Sequence, residues 1–278
     1  MDEAPDHEPL LVFDIGAHLG ADTAYYLSRG FRVVAVEANP ELARRLTALD
    51  RSGRLCVEAR ALSDSHAAVA LHVPIDGRAD CWATTSNEQA DMLAKAKVRT
   101  RTIEVNTVSL DTLVERYGTP YYIKCDIEGS DALFLEMLAR LDRKPATVSV
   151  ELTQLSLSAL LQQLKLIHSC GYKRFVIRDQ GRLPSAAFAA GRVHRIEGMW
   201  SGPFGVEIDD GSALSWRQAR RSAIAIALRS RLFGEFGIAG RLRLYGLVRR
   251  LARVPLFRPL LYTSWYDIHC FAEDEVTQ

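Results

Sequence analysis

The feature that most constrains this chain is a regular exchange of short apolar runs with amphipathic segments between Leu10 and Arg178. Leu10–Gly16 and Arg32–Ala38 have the length and composition of buried strands. Ala21–Arg29 between them has helical spacing, so the three make a βαβ unit. Glu41–Leu49 reads as a helix started at Pro40, and Leu55–Leu62 returns to strand character. Ala68–Ile75 alternates apolar and polar residues up to Asp76-Gly77 and is expected in an inserted hairpin, with Arg78–Lys97 irregular or weakly helical. Strands are then expected at Thr100–Leu110, Tyr121–Glu128, Ala146–Leu152 and Lys173–Arg178. Helices are expected at Asp111–Tyr117, capped by Asp111, and at Asp131–Leu141 and Leu155–Ser169. This rhythm predicts a Rossmann-like, doubly wound, mostly parallel α/β sheet covered on both faces.

At 278 residues the chain suits one such domain with appendages. The expected division is a tail over 1–9, a domain over 10–215 and an α-helical, arginine-rich extension over 216–278. A composition of 48% hydrophobic and 25% charged residues excludes a disordered or membrane-spanning chain. The acidic start, Met1 to Pro9, lacks the pattern of a signal peptide, so a cytoplasmic location is expected. Five cysteines without a Cys-x-x-Cys pair argue against a zinc cage and read as reduced core residues.

In a doubly wound sheet, ligands bind beyond the carboxyl ends of the strands, at the first strand-to-helix turn. Asp14-Ile15-Gly16-Ala17-His18-Leu19-Gly20 occupies that turn. Gly16 and Gly20 remove side chains where the chain turns, and Asp14 is suited to accept from an ammonium or to orient the loop. Glu37 ends the second strand, where a carboxylate can accept both ribose hydroxyls of an adenosine. A dinucleotide site would normally show Gly-x-Gly-x-x-Gly, with the middle glycine making room for pyrophosphate. His18 stands in that place, so the pattern suits S-adenosylmethionine better than a nicotinamide dinucleotide.

Val12–Gly20, Val36-Glu37-Ala38-Asn39-Pro40, Ala61-Leu62-Ser63-Asp64, Ser109-Leu110-Asp111 and Ile123-Lys124-Cys125-Asp126-Ile127-Glu128-Gly129 together resemble the FkbM family of methyltransferases in order and spacing. The resemblance covers about Leu10 to Leu152. It implies a fold of the class I methyltransferase type and O-methylation of sugars, polyketides or other secondary metabolites. Carried over by position, Asp14, Gly16, Ala17, His18, Gly20, Glu37, Ala38, Asn39 and Asp126 look like the cofactor site, with Leu62, Ser63 and Asp64 on the adenine side. The family often has Asn where this chain has His18, which is read here as a turn-stabilising residue.

Methyl transfer to a hydroxyl requires the acceptor oxygen in line with the carbon–sulfur bond and a base for its proton. Alternation along a strand would put Lys124, Asp126 and Glu128 on one face. Three charges at the end of an apolar strand mark a site, with Asp126 first as acceptor-orienting group or base, then Glu128 and Glu151; a purely structural charge network is the alternative. No metal is expected.

The last third carries Ser201–Gly205 and Trp265–His269, aromatic and turn-rich segments suited to an acceptor pocket, with His269 as a further candidate base. Arg217–Arg258 holds eleven arginines against the single acid Glu235. Solvated helix faces, an anionic or sugar-bearing small-molecule acceptor, and peripheral membrane contact through 217–258 all fit this stretch. No nucleic-acid partner is expected, because no recognisable reader module is present. A nicotinamide-dependent dehydrogenase and a catalytically silent binding domain are the rival readings of the whole chain.

Overall fold

The computed structural model describes residues 9–50, 52–75, 82–154, 156–182, 194–196, 199–201, 204, 208 and 213–272. The first unit is β1 (Leu11–Ile15), α1 (Ala21–Ser28) and β2 (Arg32–Val36), with every residue of β1 buried. A second helix, α2 (Pro40–Leu46), starts where the Asn39 side chain accepts the Glu41 N–H, with proline in the first turn. It leads to β3 (Leu55–Glu58) and β4 (Ala61–Leu62).

An antiparallel arm follows, β5 (Val69–Pro74) paired with β6 (Thr100–Val105), enclosing α3 (Asn87–Lys95). The chain continues through β7 (Thr107–Val108), α4 (Leu110–Tyr117), β8 (Tyr122–Cys125), α5 (Asp131–Arg140), β9 (Thr147–Glu151), α6 (Leu157–Ser169) and β10 (Arg174–Asp179). After the short pair β11 (His194–Ile196) and β12 (Met199–Ser201) come four helices: α7 (Trp216–Phe233), α8 (Ile238–Arg241), α9 (Tyr245–Leu251) and α10 (Arg258–Leu261). The last strand is β13 (Tyr266–Phe271).

The main sheet has seven strands in the order β10-β13-β9-β8-β1-β2-β3. β13 runs antiparallel to both neighbours, and the other adjoining pairs are parallel. Strand order reverses between β1 and β8, which opens a crevice at their carboxyl ends. This is the doubly wound, mostly parallel arrangement that the sequence predicts.

The two faces of the sheet differ in chemistry. One presents Phe13, Ile15, Val34, Val36, Ile123, Cys125, Val148, Val150, Ile268 and Cys270, packed in a single core with residues of α4, α5, α6 and α7. The register puts Asp14, Lys124, Ser149, Glu151, Asp267 and His269 on the opposite face. There Tyr25, Tyr26, Tyr122 and Phe204 form an aromatic cluster, with the Tyr26 and Phe204 rings 4.5 Å apart.

Several expectations are corrected. Leu55–Leu62 is two strands, broken at Ala59 and Arg60, and Thr100–Leu110 is divided between β6 and β7. β6 lies outside the main sheet, because its partner is β5. Ser109, rather than Asp111, caps α4, accepting the Thr112 N–H at 3.1 Å.

Most of Trp265–His269, expected to be turn-rich, is strand, because Tyr266–Phe271 is the inner strand β13. α7 adds Ala219, Ala223 and Ala227 to the main core. β13 and the core side chains of α7 join residues beyond 215 to the main sheet and its core. β13 alternates apolar Tyr266, Ile268 and Cys270 with polar Asp267 and His269, so it lacks the apolar run expected of an inner strand. The expected Asp76-Gly77 turn, residues 1–8 of the expected tail and Cys81 lie outside the described residues.

Among the described residues no helix is long and apolar enough to cross a membrane.

Candidate active site

The loop after β1 is held open by backbone geometry. Gly16 has φ 84°, and a Cβ there would lie 1.9 Å from the Asp126 carbonyl oxygen, so the two strand ends touch through backbone. His18 also adopts the left-handed region, at φ 51°. Its N–H donates to Glu37 Oε2 at 2.8 Å, while the Asn39 N–H donates to Oε1 at 2.7 Å. Each carboxylate oxygen has a second lone pair, so Glu37 is fixed in orientation and still able to accept from the cleft. Burial raises its carboxyl above the ordinary value, and the two backbone N–H groups oppose that shift.

An open cleft lies beyond these residues, at the carboxyl ends of β1 and β2. Ile15, Val36, Ala38, Leu42, Leu62, Leu71 and Ile127 give it apolar walls; Gly16, His18, Glu37, Arg60, Ala61, Ala83, Thr85, Asp126 and Glu128 complete the lining. The arm contributes directly. Thr84 Oγ1 donates to the Glu128 carbonyl at 2.6 Å, and the Thr85 and Ser130 hydroxyls are 3.2 Å apart, which ties the arm to the turn after β8.

Of the cofactor residues expected from the sequence, Gly16, His18, Glu37, Ala38, Leu62 and Asp126 line this cleft. The others lie outside its lining. Ala17 packs with Ala35 and Leu46. A Cβ at Gly20 would meet Leu49 and Leu46. Asn39 caps α2, and the Ser63 hydroxyl accepts the Ser65 N–H. Asp14 is completely buried beneath the loop, where Oδ2 accepts from Thr23 at 2.5 Å and Oδ1 has no hydrogen-bond partner. Burial pushes Asp14 up to about 7, with Lys124 opposing and Asp22 adding to the shift.

The reacting end differs from the alternation argument, because β8 stops at Cys125. Asp126 and Ile127 leave the strand, and Glu128 sits in the following turn with φ 37°, so it does not share a strand face with Lys124. Lys124 Nζ instead bridges Asp22 Oδ2 at 2.8 Å and Asp126 Oδ2 at 3.1 Å. Burial works against the ammonium, but Asp22, Asp126 and Asp14 together hold its pKa well above the usual lysine value.

Glu151 ends β9, and Asp267, which the sequence offers only as part of Trp265–His269 and not as a site residue in its own right, is its partner in β13. Gln180 Nε2 donates to Asp267 Oδ2 at 2.7 Å. Burial pushes Glu128 up to about 8 and Asp267 to about 7, and it raises Glu151 well above the carboxylate range; Asp126 adds to all three. Asp22 and Asp267 thus join Lys124, Asp126, Glu128 and Glu151 along one edge. Among the described residues no group of three or more His, Cys, Asp or Glu side chains is arranged to hold a metal ion.

His269 does not reach this edge. It lies opposite Ser149 and Val176, buried within the sheet, with Nδ1 lacking a hydrogen-bond partner. Burial first, and Arg178 second, lower its pKa to about 3, which makes it a poor proton acceptor. Of Ser201–Gly205, Phe204 is buried against Tyr26 and Tyr122, while residues 202, 203 and 205 lie outside the described set.

The cleft is lined by three acidic side chains, Glu37, Asp126 and Glu128, the last holding its proton near neutrality, against one guanidinium, Arg60, which itself lies 3.5 Å from Glu58. Such a lining repels a pyrophosphate and suits a ligand with a hydroxylated ribose, a flat base and a cationic end. The residues present therefore fit S-adenosylmethionine: Glu37 for the ribose, the apolar walls for the adenine, and the Asp126 edge for the sulfonium and amino-acid portion.

Residues 14–174 match the family model described as the methyltransferase FkbM domain. No curated protein matches the chain. Among solved structures, an S-adenosylmethionine-dependent methyltransferase from Thiobacillus denitrificans in complex with S-adenosyl-L-homocysteine is 12% identical over 96% of this chain and 86% of its own, with a TM-score of 0.34. One from Geobacter sulfurreducens, also in complex with S-adenosyl-L-homocysteine, is 11% identical over 96% and 86%, with a TM-score of 0.32. The precorrin-6y C5,15-methyltransferase of Geobacter metallireducens is 13% identical over 63% and 71%, with a TM-score of 0.31. At those TM-scores the likenesses carry no argument, and the assignment rests on the family match, which spans more than half of the chain. The chain belongs to the FkbM methyltransferase domain family, and its cofactor is S-adenosylmethionine.

Proposed function

We propose that this protein is an O-methyltransferase that modifies a hydroxyl of a sugar or other natural-product-like small molecule. The observation that carries the reading is Asp126: its carboxylate lines the cofactor cleft and is ion-paired to a lysine that is itself locked by Asp22. The donor, when bound, supplies an electrophilic methyl group on a positively charged sulfur.

The chain's own residues do the rest. Glu37 fixes the nucleoside end, and Asp126 accepts the hydrogen bond of the incoming hydroxyl and takes its proton. Glu128, which burial pushes up to about 8, keeps its proton near neutrality and so donates a hydrogen bond to another acceptor oxygen, and Glu151, raised by the same cause, ends the neighbouring strand. A polyhydroxylated acceptor matches an edge that offers both donors and acceptors.

Asp126→Asn tests the reading by calorimetry with S-adenosylhomocysteine together with label transfer from methyl-labelled donor to a panel of hydroxylated acceptors. Transfer is expected to fall by about 10²–10⁴, the usual contribution of a general base, while S-adenosylhomocysteine, which lacks the sulfonium charge, loses far less affinity than transfer loses rate. Unchanged transfer would remove Asp126 from the reaction.

A further inference from the structure

A second surface, outside the cofactor cleft, has a chemistry of its own. Between Phe236 and Tyr266 the sequence holds six arginines and no aspartate, glutamate or lysine. Over the same stretch Leu242, Leu244, Leu247, Leu251, Val254, Leu256, Phe257 and Leu260 are all exposed, Leu256 at 80%. Neither α9 nor α10 contains a single buried residue. Short helices of this kind are marginal in water and gain stability when an apolar face is covered.

The arrangement is nevertheless anchored. Arg229 Nη1 donates to the Pro259 carbonyl and Nη2 to the Tyr266 hydroxyl, both at 3.0 Å, which ties α10 to α7 and to the first residue of β13.

We propose that residues 241–260 dock the protein on a bilayer surface bearing acidic phospholipids. Leucines interleaved with arginines match an interfacial segment whose apolar side chains enter the acyl boundary while guanidinium groups meet phosphates. The balance of charge decides among occupants. A second copy applying the same face would set six arginines against six, which opposes self-association. A nucleic acid would leave eight large apolar side chains without a partner. Four residues separate α10 from β13, whose second residue is Asp267.

Truncation after Ser215 is unsuitable as a test, because it removes a strand of the sheet and part of the core. The informative variants are surface changes in the full chain: Arg249→Gln with Arg250→Gln, and Leu256→Glu with Leu260→Glu. Each is compared with wild type by co-sedimentation with vesicles of phosphatidylcholine alone and of phosphatidylcholine mixed with phosphatidylglycerol. Circular dichroism and S-adenosylhomocysteine binding serve as controls for the fold.

Wild type is expected to bind the mixed vesicles, less so at high salt. The double arginine change is expected to weaken binding about 30-fold and the double leucine change to abolish it, with cofactor binding retained. The proposal is overturned if wild type ignores acidic vesicles, if it binds neutral ones equally well, or if the variants bind as wild type does. Dimerisation lost in the leucine variant without vesicle binding would also overturn it, in favour of a second copy.

Discussion

Asp267 of β13 lies directly opposite Glu151 of β9 across an antiparallel pair, so the two carboxyl side chains share one face of the sheet at the carboxyl end of β9. Like charges in that relationship repel, and burial compounds the cost. The pair is tolerable as long as protons or a ligand relieve it. Gln180 donates to Asp267 Oδ2, and the register puts Lys124 on the same face of the sheet.

The first expectation concerns pH. Asp14, Asp131 and Asp267 are pushed up to about 7 and Glu128 to about 8, with burial the leading cause in each. In the unfolded chain such groups ionise near roughly 4. Between those values the folded state holds more protons, so this stabilisation is complete below pH ~4 and is lost as pH rises through 7 to 8. The ligand-free protein should melt at a higher temperature at pH 5.5 than at pH 8.5, and Asp267→Asn should flatten the difference. A wild-type Tm that climbs with pH over this window would sink the argument.

The two glycines of the cofactor loop should differ. Gly16→Ala drives a Cβ into the Asp126 carbonyl at positive φ, whereas Gly20→Ala, also at positive φ, meets the flexible ends of Leu46 and Leu49. Losses of roughly 2–4 kcal/mol for Gly16→Ala and about 1–2 kcal/mol for Gly20→Ala follow from left-handed strain and overpacking. Denaturant melts give the order, and the reverse order would show that the β1–β8 backbone contact is not the constraint.

Glu37→Gln keeps the shape of the side chain but turns one acceptor into a donor that faces a backbone N–H. With charged hydrogen bonds worth roughly 1.5–3 kcal/mol, S-adenosylhomocysteine affinity should drop about 10–100-fold in calorimetry. Affinity equal to wild type would mean that Glu37 only braces the loop through His18 and Asn39.

The β1–α1–β2 unit and Glu37 were legible in the sequence because their signals are local: a fully buried apolar run, a glycine turn and a carboxylate at a strand end. Lys124, Asp126 and Glu128 were found as a group, but their shared face was not, since alternation ceases where β8 ends at Cys125. Asp22 resembles an ordinary first-turn acid of α1, and its bond to Lys124 is visible only once the helix is laid over the sheet. Asp267 was hidden for a different reason: β13 puts an aspartate and a histidine at inward positions, which breaks the apolar pattern of an inner strand. The arm residues Leu71, Ala83 and Thr85 reach the cleft by tertiary folding alone.

The most direct test of the account is the fate of a ¹³C-labelled methyl group. The protein is incubated with methyl-labelled S-adenosylmethionine and a panel of sugars and hydroxylated natural products, and the products are read by carbon NMR. The account predicts a new methyl resonance in the oxygen-bound region that disappears with Asp126→Asn. A label found on nitrogen or carbon, or S-adenosylhomocysteine binding without transfer to any hydroxyl, would contradict it.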